Sequence, residues 1–199
     1  MKKGDAKDLI GKIQELSNEL EKCPSILLNA FIQNKKDALV EVDSIIQKVK
    51  NASMDLTYEL ISASPSDKNA VLYAPVPSHL ERIAGNLEHI ARSVGIKIKE
   101  DMLFSDKANS ELAFLLQRTG EILNATGDLI LSRNKVLANY VRESESEIER
   151  SATQFATLHE ERLIEGLCLP KASGLYIVML DSIKRIAWNT KEIVEKLTK

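Results

Sequence analysis

The chain has 199 residues, with 27 Lys and Arg against 29 Asp and Glu, for a formal net charge of -2. That length buries a real core, as one domain or two small halves, and the near-neutral charge argues against bulk electrostatic binding of nucleic acid or of an anionic membrane. Glycine and proline are scarce and Leu, Ile, Ala, Glu and Lys dominate, which favours helices.

The N-terminus, MKKGDAKDLIGKI, carries two lysines but then aspartates and no apolar stretch, so it does not read as a secretory signal. The first predicted helix places Leu9, Ile13, Leu16 and Leu20 on one face, with Cys23-Pro24 expected to bend or split it. The second carries Leu39, Val42, Ile46, Val49, Ser53, Leu56 and Leu60, a 3-4 spacing sustained over several turns. Ser64-Pro65-Ser66-Asp67 ends it, because proline cannot donate and restricts the residue before it.

Pro75 and Pro77 predict a kink, or a restart with Pro77 in the first turn of the third helix, whose stripe is Leu80, Ile83, Leu87, Ile90 and Val94. A connection over 95–101 is expected next. A second set follows: Leu112, Leu115, Leu116, Thr119 and Ile122, then Val141, Ser144, Ile148, Ser151, Phe155 and Leu158. Leu169-Pro170 opens the last helix, with Leu175, Met179, Ile186, Ile193 and Leu197. Val178 and Leu180 stand where the first set has Pro75 and Pro77, so this helix is expected to be continuous. The apolar runs at 25–32 and 175–180 fall far short of the roughly 20 residues of a membrane span and read as core.

The two sets are copies. At an offset of 103 residues, Leu9, Gln14 and Leu20 match Leu112, Gln117 and Leu123, and Leu72-Tyr73 match Leu175-Tyr176. Arg82, Ile83, Ala84, Asn86 and Ile90 likewise match Arg185, Ile186, Ala187, Asn189 and Ile193. The register slips mid-copy, where a small insertion or deletion falls. The expected architecture is all-α: two tandem antiparallel three-helix bundles, residues 1–100 and 101–199. Cys23 and Cys168 read as buried reduced thiols, which suits a cytoplasmic location.

The stretch from His79 through Leu80, Glu81, Arg82, Ile83, Ala84, Gly85, Asn86, Leu87, Glu88, His89 and Ile90 to Ala91 resembles the signature helix of the PhoU family, usually close to LERIGDHATNIAE. The framework kept is Leu80, Glu81, Arg82, Ile83, Ile90 and Ala91, and the two tandem units extend the resemblance over nearly the whole chain. It implies an accessory regulator of phosphate uptake and phosphate-dependent signalling. Such a regulator acts by contact with a phosphate transporter subunit or its sensor kinase, without chemistry of its own. It also implies a groove of acidic residues that holds iron or zinc in related members; four-residue spacing puts two carboxylates on one helix face.

This chain departs from that acidic pattern. Gly85 stands at the second acid of the first copy, and Lys184 and Trp188 stand at both acids of the second. The remaining metal candidates are Asp43, Glu81, Glu88 and His89, with Glu145 matching Asp43; no cofactor is expected. The plainer readings are an arginine ion pair for Glu81, a polar helix-face residue for His89, a solvated helix start for His79 and core packing for Trp188. The acidic run 143–149 reads as a solvated face near Arg142 and Arg150.

His159-Glu160-Glu161 lacks the second histidine of a zinc protease helix, and no Glu-x-x-His pair supports a di-iron bundle. There is no glycine-rich phosphate loop or serine elbow, so an enzyme is not expected. The alternatives are a metal-binding helical sensor and a helical adaptor unrelated to phosphate, and the residues leave open a monomer or a homodimer.

Overall fold

A computed structural model describes residues 6–65 and 67–198. The reading of the N-terminus falls partly on residues 1–5, and that of the break after helix two partly on Ser66; these lie outside the described residues.

The described residues form seven α-helices and no strand. They are α1 (Ala6–Gln33), α2 (Ala38–Ala63), α3 (Lys68–Tyr73), α4 (Val76–Lys99), α5 (Asp106–Ser132), α6 (Lys135–Ile164) and α7 (Pro170–Leu197). Local chemistry sets their ends. Ser105 caps α5 by accepting from the Ala108 amide, and Asn134 caps α6 by accepting from Val136. Asn34 (φ 54°), Asp101 (φ 48°), Arg133 (φ 47°) and Gly166 (φ 74°) follow α1, α4, α5 and α6 in left-handed backbone, which terminates a helix by satisfying its last carbonyls.

α1, α2 and α4 form one three-helix bundle and α5, α6 and α7 the other, with α1 against α5 and α4 against α7 joining them. One continuous apolar core runs through both. Pro77 sits in the first turn of α4, and the short α3 precedes it; the matching stretch of the second copy is the uninterrupted α7. The matched tyrosines of the copies are both buried and both donate to acceptors on α5: Tyr73 to the Ile130 carbonyl, Tyr176 to the Glu111 carboxylate.

Four expectations are corrected. Cys23-Pro24 does not split α1, which continues to Gln33. Pro24 packs on Gly120 of α5, where a Cβ would lie 3.9 Å from the proline Cβ, so the ring needs no large neighbour to move aside. The connection is not 95–101, because α4 continues through Gly95 to Lys99 and only residues 100–105 link the halves. Buried Lys97 accounts for that extension: its Nζ donates to the Phe31 carbonyl at 2.8 Å and to Asn34 Oδ1 at 2.6 Å, closing the end of α1. The stripe on α6 drifts, so Ala152 and His159 are buried where Ser151 and Leu158 were expected. Cys23 is buried, but Cys168 is only half-buried.

Candidate functional site

The signature helix is α4, and its partners are α2 on one side and α7 on the other. Glu81 is exposed and makes no ion pair among the described residues, so the expected arginine partner is absent. Glu88 is half-buried and meets Lys50 of α2 at 2.9 Å. That hydrogen bond, set against burial, holds the Glu88 carboxyl below its ordinary range, with Arg92 and His89 adding to it. Asp43 shares a groove of about 530 Å³ with Glu88, but Lys36 and Arg92 line it as well.

His89 is exposed and faces elsewhere, into a groove of about 730 Å³ between α4 and α7 with Arg82, Gly85, Asp181 and Arg185. Of the four metal candidates, the structure therefore brings Asp43 and Glu88 to one groove and leaves Glu81 and His89 apart from it. Among the described residues, no three His, Cys, Asp or Glu side chains group closely enough to hold a metal.

The second copy has the opposite charge arrangement. Lys191 of α7 meets Glu145 of α6 at 3.0 Å, and Lys184 meets Glu149 at 2.8 Å. Arg142 reaches Glu195 at 2.6 Å, and Arg118 of α5 pairs with Glu121 and Glu147. The acidic run is thus only in part a solvated face: Glu143 and Glu149 are exposed, whereas Glu145 is buried and Glu147 half-buried. Glu145, Glu147 and Glu149 cross to cations on α5 and α7. Lys184, at the position matching Glu81, is a cation already paired across to α6.

Trp188 was expected in the core and is 45% exposed, its ring edge-on to His79 with centroids 6.3 Å apart. His79 was expected in solvent and is 6% exposed; its Nδ1 lies 3.0 Å from Asn189 Oδ1 across the α4–α7 seam. Burial follows from its place one residue before Leu80, on the side of α4 that α7 covers.

Sequence reasoning missed a second polar cluster. Glu111 of α5, 3% exposed, takes both terminal nitrogens of Arg162 at 3.0 and 2.7 Å and the Tyr176 hydroxyl at 2.5 Å. His159 stacks on Tyr176 at 4.4 Å, and its Nε2 lies 2.9 Å from Ser173 Oγ. Burial raises the Tyr176 hydroxyl well above its ordinary range, and the Glu111 carboxylate adds to the rise. Burial, then the Arg162 charge, lowers His159. The available signal was Glu111 itself, a charge immediately before Leu112 on an apolar stripe. Every strong hydrogen bond to this carboxylate comes from another helix, so the cluster reads as a clamp between α5, α6 and α7.

The arrangement defines a class: an all-helical pair of duplicated three-helix bundles with ion pairs crossing between their helices. Comparison gives that fold its name. PhoU from Pseudomonas aeruginosa superposes with a TM-score of 0.85 at 16% identity, over 96% of this chain and 94% of that one. The phosphate transport system regulatory protein PhoU from Streptococcus pneumoniae gives 0.82 at 13%, over 96% and 92%. The chain has the PhoU fold. No family model matches it. A human protein, mitochondrial acyl-coenzyme A synthetase ACSM2B, is 24% identical over 121 residues; these are 60% of this chain and 20% of the synthetase, so the chain spans about a fifth of that enzyme's length. No helix among the described residues is long and apolar enough to cross a membrane.

Proposed function

We propose that this protein is a cytoplasmic regulator of phosphate uptake and phosphate-dependent signalling that works by contact, binding a phosphate transporter subunit or its sensor kinase and catalysing no reaction. The observation that carries the reading is the PhoU fold across 96% of the chain, together with the retained Leu80-Glu81-Arg82-Ile83 framework on α4. Residues 1–100 and 101–199 act as the two repeats of one scaffold, each presenting ridged helix faces to partner helices. The reading needs no metal. What supports a metal-free mode is that Lys50 pairs with Glu88 of the first bundle, and Lys184 and Lys191 with Glu149 and Glu145 of the second.

The test is affinity capture from native cells grown in ample phosphate, read by mass spectrometry. Recovery of a phosphate transporter subunit or its sensor kinase is expected. Clean recovery of an unrelated partner without either would move the function to a helical adaptor outside phosphate control, a reading favoured by Lys184 and Trp188 at the two acidic positions of α7.

A further inference from the structure

A groove of about 860 Å³ lies away from α4, along α5 where α1 and the start of α6 flank it. Its floor is apolar and shallow-sided: Pro24, Leu28, Leu116, Gly120, Leu137 and Tyr140. Gly120 keeps it open. A Cβ there meets only the Pro24 ring, in ordinary contact at 3.9 Å, so packing does not demand glycine. Glycine in a helix interior costs about 1 kcal/mol relative to alanine, and here the cost leaves room above the floor.

The rim is acidic. Glu21, Glu121 and Asp128 border the floor, with Lys22 as the cation among its described lining residues. Lys22 is turned toward Glu19 at 3.1 Å, and Glu121 is held by Arg118. Glu21 and Asp128 belong to no ion pair among the described residues, although carboxylates on neighbouring α6 find cations. An apolar floor between unneutralised carboxylates is the complement of a helix with one apolar stripe flanked by Lys or Arg. The lining of α5 from Leu116 to Asp128 extends roughly 18 Å at 1.5 Å per residue, enough for three turns of such a helix.

We infer that the α1–α5–α6 groove docks a basic amphipathic helix of a partner protein. The inference rests on the contact-regulator reading above and supplies its docking face and the chemistry of the docked segment.

The probe is a fluorescent synthetic helix of about four turns, with Leu at i, i+4, i+7 and i+11 and Lys on the flanking positions. Its counterparts are one with Glu in place of Lys, and one of the same basic composition with the stripe scrambled. Anisotropy is read at low and at physiological salt. The expected result is saturable binding of the basic amphipathic helix, weakened by salt and at least tenfold tighter than either counterpart. Gly120→Leu, which raises helix propensity while filling the groove, lowers affinity at least tenfold with an unchanged melting temperature. Glu21→Lys with Asp128→Lys does the same, and Asp181→Lys, in the α4–α7 groove, has no effect. Equal binding of the basic and acidic helices, no saturable binding, or an unchanged affinity in Gly120→Leu overturns the inference. The two proposals separate cleanly. If native capture recovers the transporter or kinase equally well with Gly120→Leu, the groove assignment falls and the regulator stands. If the basic helix binds as expected while capture yields neither, the groove stands and the phosphate role falls.

Discussion

Glu88 and Lys191 occupy the same position in the two copies, 103 residues apart, and carry opposite charges, yet each is ion-paired to its own bundle's middle helix. Glu88 takes Lys50 on α2, and Lys191 takes Glu145 on α6. The interhelical bond is kept while its polarity is reversed, so its role in both copies is to fix the middle helix against the third. Glu145 is buried and Lys191 only partly so. Removing the lysine strands a carboxylate with little access to water, and such orphaned groups cost about 1–3 kcal/mol. Lys191→Ala is expected to lower stability by about that amount in urea unfolding. Lys191→Ala with Glu145→Gln recovers most of it, since the charge needing a partner is gone. A double variant no more stable than the single one would show that the pair does not carry the effect.

The Lys50–Glu88 pair has a pH signature. Lys50 holds the Glu88 carboxyl below its ordinary 4.5, so its contribution to stability is present above that value and lost as pH falls through the depressed one. Lys50→Met is expected to return the Glu88 carboxyl toward its ordinary range in a carbon-detected NMR titration. It also flattens the stability curve in the acid range below that value. An unchanged titration would mean that Lys50 does not hold the group in solution.

The Glu111 clamp is the most consequential polar feature of the second bundle. Glu111→Ala leaves the Arg162 guanidinium, whose side chain is 15% exposed, without its bidentate partner and removes the acceptor of Tyr176. Breaking a buried pair from one side costs about 3–5 kcal/mol. Chemical denaturation should show a loss of that size, against less than about 1 kcal/mol for an exposed control such as Glu81→Ala. A small Glu111 effect would mean that water reaches the site and replaces the carboxylate.

His159, beside that clamp, has the opposite sign from Glu88. Its folded-state pKa lies below the ordinary 6.5 because burial and Arg162 disfavour the cation, while Glu111 and Glu160 oppose them more weakly. The unfolded chain therefore binds the proton first. Stability falls as pH drops from about 6.5 toward the depressed value and levels off below it. His159→Phe removes that fall while leaving an aromatic ring on Tyr176. The check is a series of melting temperatures from pH 7.5 to 5 for both proteins, and parallel curves would assign the pH dependence to other groups.

Apolar periodicity made the long helices and the duplication legible, since residues such as Ile83 and Ile186 recur on equivalent buried faces. What it failed to reveal were the polar residues that cross between helices. His79 and Trp188 were exchanged, one placed in solvent and the other in the core, because a stripe gives a face but not the angular edge at which a neighbouring helix stops covering it. Ile177 and Val178 illustrate the same limit: they lie in an apolar run and are exposed at the α4–α7 groove. Lys97 was read into a linker over 95–101; its bonds to the distant Phe31 carbonyl and Asn34 side chain, which the local sequence does not show, hold it where the helix continues. Ion pairs such as Arg118 with Glu147 depend on the register of two helices, which no single segment encodes. The candidate site was legible as a list of positions, Asp43, Glu81, Glu88 and His89, but not as a constellation.

That dispersal bears on metal binding. A hard or borderline cation needs several donors converging at close range. Here Asp43 and Glu88 share their groove with Lys36 and Arg92, and Lys50 already takes Glu88. Protein purified without chelator and passed through gel filtration with excess zinc or ferrous iron is expected to retain well under one equivalent by elemental analysis. Gly85→Asp supplies the stronger form of the test. It restores a carboxylate four residues after Glu81, and nothing lies within 4 Å of the new Cβ, so the fold should accept it. The new carboxylate faces the α4–α7 groove, beside Arg82 and Arg185 and apart from the groove of Asp43 and Glu88, so the variant is expected to gain little metal. A wild-type ratio near one that is lost in Asp43→Ala and in Glu81→Ala would show instead that the acidic positions still work as a metal site.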